Sequence, residues 1–237
     1  IELGQVSQTY IINGENGSGK KTLTRALAKT LQCEEGGTEP CNHCKSCLQS
    51  ETGNQPDVVW ITHDKPNFIS VDEIREQLIN DIDIKPYSSR YKIYVINDAH
   101  LMRPEAQNAL LKTIEEPPAY AIIILLTENM EKLLPTIVSR CIVLNIKPVR
   151  ENDIMEYLET VLHLDNERAR FCMDFAQGNL GKAIRLASSE DYREIKEDVV
   201  RVMRKLNEMS VDDVIFAIKN MNHNKLKVGD YIDLMMM

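Results

Sequence analysis

The sequence has little of what marks membrane, secreted or disordered proteins. Ten glycines and nine prolines among 237 residues are too few for a disordered or collagen-like chain. The longest apolar run, 121–126, falls far short of the roughly 20 residues that span a bilayer. The first residues lack the basic, apolar and small-residue pattern of a secretory signal. We therefore expect a cytoplasmic globular protein without a membrane partner.

An excess of basic residues is also missing. The chain has 28 Lys and Arg against 36 Asp and Glu, a net charge of −8. Proteins that bind nucleic acid by themselves usually carry a basic excess, so we expect any contact with DNA to be shared with partners. The chain begins at Ile1 and stops in the apolar run 234–237. Since neither end looks like a natural terminus, we expect a fragment of a longer protein.

What the sequence does contain, over its first 147 residues, is an alternation of strand and helix patterns. Runs rich in β-branched residues predict five strands, at 9–13, 58–61, 92–96, 121–126 and 141–146. Apolar spacing and start signals predict helices at 22–31, 71–79 (opened by a capping box from Ser70 to Glu73) and 104–115. Continuously apolar strands separated by helices predict an α/β fold with a parallel sheet covered on both faces.

After Pro148 the strand patterns stop. Residues 151–187 predict short helices with a break at 178–181, and further helical patterns follow at 190–206 and 212–220. The layout is thus an α/β domain followed by helical modules.

A glycine-rich segment, Gly14-Glu-Asn-Gly-Ser-Gly-Lys20, lies between the first predicted strand and the next helix. In this context it predicts a phosphate-binding loop, in which backbone N–H groups converge on an anion and the lysine reaches the terminal phosphates. The alternative is an ordinary glycine-rich turn. A Mg²⁺-binding Ser or Thr should follow the lysine, but the chain has Lys21, and Thr22 points about 100° away on a helix. The candidate residues are Gly14, Gly17, Ser18, Gly19, Lys20, Lys21 and Thr22.

The third predicted strand leads into Asn97-Asp98-Ala99, where a nucleotide hydrolase would place Asp for Mg²⁺ and then Glu to activate water. In one register Asn97 replaces the metal Asp and Asp98 the catalytic Glu; in the other Asp98 is the metal Asp and Ala99 replaces the Glu. The pair is incomplete in both. A third possibility is that Asp98 only caps the following helix.

Four cysteines, Cys33, Cys41, Cys44 and Cys47, follow the first helix within 15 residues. In a reducing compartment this spacing predicts a structural Zn²⁺ site with four thiolate ligands rather than two disulfides. An alternative site has His43 in place of one cysteine.

These motifs occur in order with two others, Asn108–Pro118 (NALLKTIEEPP) and Pro135–Cys141 (PTIVSRC). Together they resemble the AAA+ subunits of the bacterial DNA polymerase III clamp loader over nearly the whole chain. The resemblance implies an AAA+ domain over 1–147 with a zinc insert at 33–47, a helical lid over 148–188, and the start of a helical collar over 189–237.

The resemblance also implies roles for single residues. Arg140, otherwise a solvated charge, would be an arginine finger offered in trans to a neighbour's ATP, and Thr127 the polar sensor after the fourth strand. Gly181 stands where motor subunits have a sensor Arg, with Lys182 beside it. The departures at Lys21, Asn97 and Gly181 resemble the non-hydrolysing member of the family.

We therefore expect a stator that works with gamma/tau motor subunits and delta in a hetero-oligomer and reaches the sliding clamp and primed DNA through that complex. Zn²⁺ is the expected cofactor, and the sequence leaves ATP and Mg²⁺ binding open. One alternative is an ATP-hydrolysing gamma/tau-type motor. Another, disfavoured by the acidity, is a zinc-stabilised DNA-binding module whose glycine-rich loop has no role.

Overall fold

The computed structural model describes residues 6–188 of the chain. Two compact units meet in the sequence between Lys147 and Pro148. The predicted helices at 190–206 and 212–220, and with them the collar, lie outside the described residues.

The first unit contains strands and helices in alternation. In chain order they are β1 (Thr9–Asn13), α1 (Lys20–Leu31), α2 (Lys45–Glu51), β2 (Val58–Ile61), α3 (Val71–Ile74), β3 (Lys92–Ile96), α4 (Pro104–Glu115), β4 (Ala121–Thr127), α5 (Pro135–Val138) and β5 (Ile142–Asn145). All five strands are parallel, in the order β2-β3-β4-β1-β5. The predicted α/β class and the five predicted strands are confirmed.

The core lies on both faces of β3 and β4, the two strands between β2 and β1 in the sheet. Every residue of β3 and β4 is buried, because helices cover both sides of this part of the sheet and two separate apolar clusters form there. The expectation that every strand is covered is wrong for β5. This strand lies at the sheet edge, and Ile142 and Leu144 are 48% and 38% exposed.

Helices α1 and α3 differ in part from the helices predicted at 22–31 and 71–79. Helix α1 begins at Lys20, two residues early, directly after the loop glycine Gly19. The capping box of α3 is present, with Ser70 and Glu73 each bonding the other's backbone N–H. Residues Arg75–Ile79 continue α3 as a π-helical turn. In that turn the Gln77 side chain satisfies the backbone N–H and C=O of Thr62.

The second unit, as far as it is described, is helical: α6 (Glu151–Thr160), α7 (Asn166–Ala176) and α8 (Leu180–Ala187). Their apolar faces form one buried cluster that includes Ile154, Leu158 and Phe175. The break predicted at 178–181 is confirmed in part: the chain leaves the helical conformation at Gln177 and Gly178, which take positive φ angles of 46° and 85°, but α8 already begins at Leu180. Within residues 6–188 no helix combines the length and apolarity of a membrane span.

A buried carboxylate anchors the loop before β3. Asp57 is 1% exposed and accepts hydrogen bonds from the backbone N–H groups of Tyr87, Ser88 and Ser89. Burial would raise the pKa of Asp57, but these N–H groups together outweigh it and hold the pKa below its ordinary value. The carboxylate therefore contributes stability that is complete above the unfolded-state pKa of about 3.9 and lost as pH falls through the lower folded-state pKa.

We expect Asp57→Asn to lower the free energy of unfolding by about 2 kcal/mol, because an amide NH₂ would face N–H donors. Urea unfolding at pH 7 measures the loss, and repeating it at pH 3 should give a smaller difference. The matched control is Asp83→Asn, an exposed residue in the segment before the anchored loop. Equal stability of the two variants would contradict the anchoring role.

Candidate nucleotide site and metal centre

The glycine-rich loop joins the carboxyl end of β1 to the first turn of α1. Gly17 and Gly19 have φ angles of 87° and 93°, which side chains rarely adopt. Gly14 donates its N–H to the carbonyl of Thr127 at 3.1 Å, which ties the loop to the end of β4. The loop thus has the strand-to-helix position and the backbone conformation that a phosphate site needs.

The interior of this loop is closely packed. A Cβ at Gly14 would lie 2.7 Å from Ser18 Oγ and 3.2 Å from Ile146 Cβ, so a side chain there would push into the loop. Ser18 Oγ is buried and has no hydrogen-bond partner within residues 6–188. A phosphate oxygen bound in the loop could accept a hydrogen bond from this hydroxyl.

Lys20 is buried, with 7% of its side chain exposed. Its ammonium donates to the carbonyls of Gly14 and Glu15 at 2.6 and 2.8 Å and lies 3.7 Å from Glu128 Oε1. Burial lowers the pKa of Lys20 more than the nearby carboxylates of Glu128 and Asp98 raise it.

The residues present do not fit a Mg²⁺ ion at this loop. Lys21 and Thr22 are both exposed on the first turn of α1. Lys21 occupies the sequence position at which a phosphate loop has the Ser or Thr whose hydroxyl binds Mg²⁺. An ammonium has no lone pair to give a metal. The glycine-rich loop therefore lacks the metal ligand that a phosphate loop usually has at this position.

Asn97 and Asp98 lie directly after β3 at the same edge of the sheet. Asn97 Nδ2 donates to Asp98 Oδ2, and Asp98 has a left-handed backbone with φ 52°. The interpretation of Asp98 as a helix cap is wrong. The residue stands at the cap position of the 3₁₀ turn Ala99–Leu101, but within the described chain its side chain bonds none of that turn's N–H groups.

Thr127 ends β4 and pairs in register with Asn13 of β1. Its hydroxyl is fully buried; it donates to the carbonyl of Asn129 and accepts from the N–H of the same residue. The hydroxyl thus holds the turn that follows the strand. Gly181 and Lys182 lie on the first turn of α8 in the second unit.

The four predicted zinc ligands converge. The sulfurs of Cys33, Cys41, Cys44 and Cys47 all lie within 4.8 Å of one another, a group that can hold a metal ion. The Cys41 and Cys47 sulfurs are 3.9 Å apart, close to the roughly 3.8 Å expected for thiolates 2.3 Å from a tetrahedral zinc. None of the six cysteines, all of which lie within residues 6–188, forms a disulfide in the structure.

Backbone N–H groups support these sulfurs. Those of Cys41, Cys44 and Cys47 donate to the sulfurs of Cys33, Cys41 and Cys44 at 3.3 to 3.4 Å. Burial and the neighbouring sulfurs raise the pKa of Cys47 to about 12. A cation bound between the sulfurs would favour the thiolate and so lower this pKa.

The alternative ligand, His43, lies at the surface. Its ring contacts Glu35 at 2.6 Å, with 71% of the histidine side chain exposed. Glu35, Cys41 and His43 form a second possible ligand group, but an exposed one that shares Cys41 with the buried cluster. The donor chemistry of four converging sulfurs fits a soft metal better.

Arg140 lies between α5 and β5 in the first unit. Its backbone carbonyl accepts a hydrogen bond from Thr9 Oγ1 at 2.8 Å. Its guanidinium contacts Glu115 Oε1 at 2.8 Å and the carbonyl of Thr136 at 2.9 Å. The Arg140 side chain is therefore bonded within the first unit and at the same time 39% exposed to solvent.

Comparison with known proteins assigns the family. Residues 1–150 match the family model described as "DNA polymerase III, delta subunit". The chain belongs to this family. It is 32% identical over 95% of its length to DNA polymerase III subunit gamma of Buchnera aphidicola subsp. Baizongia pistaciae. It is 31% identical over 88% of its length to DNA polymerase III subunit delta' of Bacillus subtilis. The chain spans 62% of the length of each of these two relatives.

Solved structures of low sequence identity show the same fold. A DNA polymerase III gamma subunit-related protein of Thermotoga maritima is 20% identical and superposes with a TM-score of 0.54, over 98% of this chain and 93% of that one. The RuvB branch-migration motor of Thermotoga maritima is 16% identical with a TM-score of 0.50, over 93% of this chain and 64% of its own. The fold of this polymerase III family member is therefore the AAA+ type.

Two residues of the candidate site, Glu128 and His100, were not predicted from the sequence. Glu128 follows β4 and pairs with Lys20, while His100 follows β3 and its Nδ1 accepts from the Glu128 N–H at 3.5 Å. Burial lowers the pKa of His100. The sequence signal that could have identified them is their position after predicted strands, because residues that follow neighbouring parallel strands meet at one edge of the sheet.

Proposed function

We propose that this member of the polymerase III family is a delta-prime-like stator of the clamp loader, which does not hydrolyse ATP itself. The observation that carries the proposal is the exposed Lys21 on the first turn of α1, in the place of the Mg²⁺ hydroxyl. Asn97, a neutral amide after β3, supports it, since an amide holds Mg²⁺ less well than a carboxylate.

The proposed domains are an AAA+ domain over 1–147 with a zinc insert at 33–47, a helical lid over 148–188, and the beginning of a collar over 189–237. The stator would assemble with gamma/tau motor subunits and delta. Through that complex it would act when the sliding clamp is placed on primed DNA.

In this assembly Arg140 is the residue that contributes to chemistry. An arginine supplied in trans stabilises negative charge on the phosphoryl group that a neighbouring site transfers. The contacts with Glu115 and Thr136 would hold the side chain before the neighbour arrives, which reduces the entropy lost on contact.

The second candidate is an ATP-hydrolysing gamma/tau-type motor. It is favoured by the relatives, several of which are named gamma or tau at 32–36% identity. The two candidates differ in one measurable property, ATP turnover by the isolated chain.

We expect the purified chain to hydrolyse ATP no faster than the buffer background, because the metal hydroxyl, the Asp-Glu pair and the lid arginine are all replaced. A coupled phosphate-release assay with ATP and Mg²⁺ measures this. Lys21→Thr should not restore turnover, since the changes at Asn97 and Gly181 remain.

The control for this assay is Lys20→Ala, which removes the ammonium that a working site would need. Turnover that depends on Mg²⁺ and disappears in Lys20→Ala would contradict the stator proposal and support the motor. Turnover that survives in that variant would come from a contaminating enzyme.

A further inference from the structure

The lysine of the phosphate loop already has an anionic partner within the chain. An ammonium offers three N–H donors. The Lys20 ammonium donates two hydrogen bonds, to the carbonyls of Gly14 and Glu15. Its nitrogen lies 3.7 Å from a carboxylate oxygen of Glu128. The ammonium is thus directed into the loop and toward a carboxylate.

The fold holds Glu128 in this position. The preceding residue, Thr127, accepts the Gly14 N–H through its carbonyl and bonds Asn129 through its hydroxyl. The N–H of Glu128 itself donates to His100 Nδ1 at 3.5 Å. The carboxylate therefore projects from a backbone that is fixed at both the strand end and the following turn.

The carboxylate of Glu128 lies beside the one ammonium that a nucleotide loop uses to contact phosphate charge. The loop lysine of such sites reaches the β- and γ-phosphates. Glu128 is only one-third exposed and Lys20 less than one-tenth, so solvent and salt screen the pair weakly. The negative charge of Asp98 also acts on Lys20, since it raises the pKa of the ammonium.

We propose that Glu128 is an internal counter-ion of Lys20, which takes the place of a terminal phosphate and lowers the affinity of the loop for nucleoside triphosphates. This inference rests on the proposed interpretation of Gly14–Lys20 as a nucleotide loop. It goes beyond the loss of hydrolysis: the missing metal ligands act on catalysis, whereas Glu128 acts on occupancy.

The test is calorimetric titration of the purified chain with ATP, in the presence of Mg²⁺ and in the presence of EDTA. Glu128→Gln keeps the size of the side chain and removes its charge. Because removing one poorly screened like charge a few ångströms from the phosphates changes binding strongly, we expect the Kd of Glu128→Gln to be about tenfold lower than that of the wild type.

The matched control is Glu131→Gln, the same change at an exposed residue three positions along the chain; its Kd should stay within about twofold of the wild type. The double variant Lys20→Ala/Glu128→Gln should show no gain, because the ammonium freed by the substitution is absent. Circular dichroism checks that each variant is folded, and Glu128→Ala repeats the measurement with a smaller side chain.

Equal affinity of Glu128→Gln and wild type would overturn the counter-ion. So would the absence of ATP binding in every folded variant, since no affinity is then being held down. Turnover of ATP in the wild-type sample would instead contradict the stator proposal. It would leave the comparison between Glu128→Gln and Glu131→Gln as a valid test of the counter-ion.

Discussion

Freshly purified, reduced protein is expected to contain about one Zn²⁺ per chain, and Cys44→Ser is expected to lose it. The four sulfurs lie within 4.8 Å of one another, and structural zinc binds sites of four thiolates with apparent free energies of about 10–16 kcal/mol near pH 7. Cys44 also caps α2 by accepting the Cys47 N–H at 3.4 Å. Since serine is itself a good cap, the substitution removes the metal ligand and keeps the cap.

Elemental analysis measures the metal, and limited proteolysis measures order in the segment 33–51, which should become sensitive in Cys44→Ser while the sheet stays protected. The control is His43→Ala, which should keep its zinc because the ring lies at the surface against Glu35. Loss of zinc in His43→Ala with retention in Cys44→Ser would make the histidine the ligand. A disulfide among the four cysteines would exclude the thiolate site altogether.

Much of the fold could be predicted because its signals are local. The buried strand 121–126 is a continuous apolar run, and the capping box at Ser70 and Glu73 can be identified from spacing alone. The exposure of β5 could not be predicted from Ile142 and Leu144, since their apolar character is the same at an edge as in the centre of a sheet. Edge position depends on strand order, which is a property of the whole chain.

In the candidate site, too, features with a local sequence pattern could be predicted and contacts made by tertiary packing could not. The glycines and Lys20 carry a fixed spacing, so the loop was predicted correctly in its place between β1 and α1. Glu128 carried no such spacing, and it meets Lys20 only because β4 and β1 are neighbours in the sheet. The partner of Arg140, Glu115, lies at the end of α4 and was missed for the same reason: the contact is made by tertiary packing.

Arg140→Ala is expected to leave the chain folded and able to assemble, while clamp-dependent ATP turnover of the reconstituted loader falls. The ion pair with Glu115 is partly exposed, and such pairs contribute about 0–1 kcal/mol, so the thermal midpoint should hardly change. Arginine fingers that act alone contribute about 10³–10⁵ in rate. The loss should be smaller here, because several motor sites would share the work and one would border this subunit.

The geometry requirement separates a finger from a simple charge. Arg140→Lys should restore little activity, since an ammonium lacks the planar fork that bonds two phosphate oxygens at once. The matched control is Arg150→Ala, which removes an arginine whose side chain is 85% exposed and paired with Asp153; it should turn over ATP like the wild type. The assay compares the three variants at equal incorporation with clamp and primed DNA. Unchanged rates in Arg140→Ala would make this residue a surface charge whose ion pair with Glu115 is its whole role.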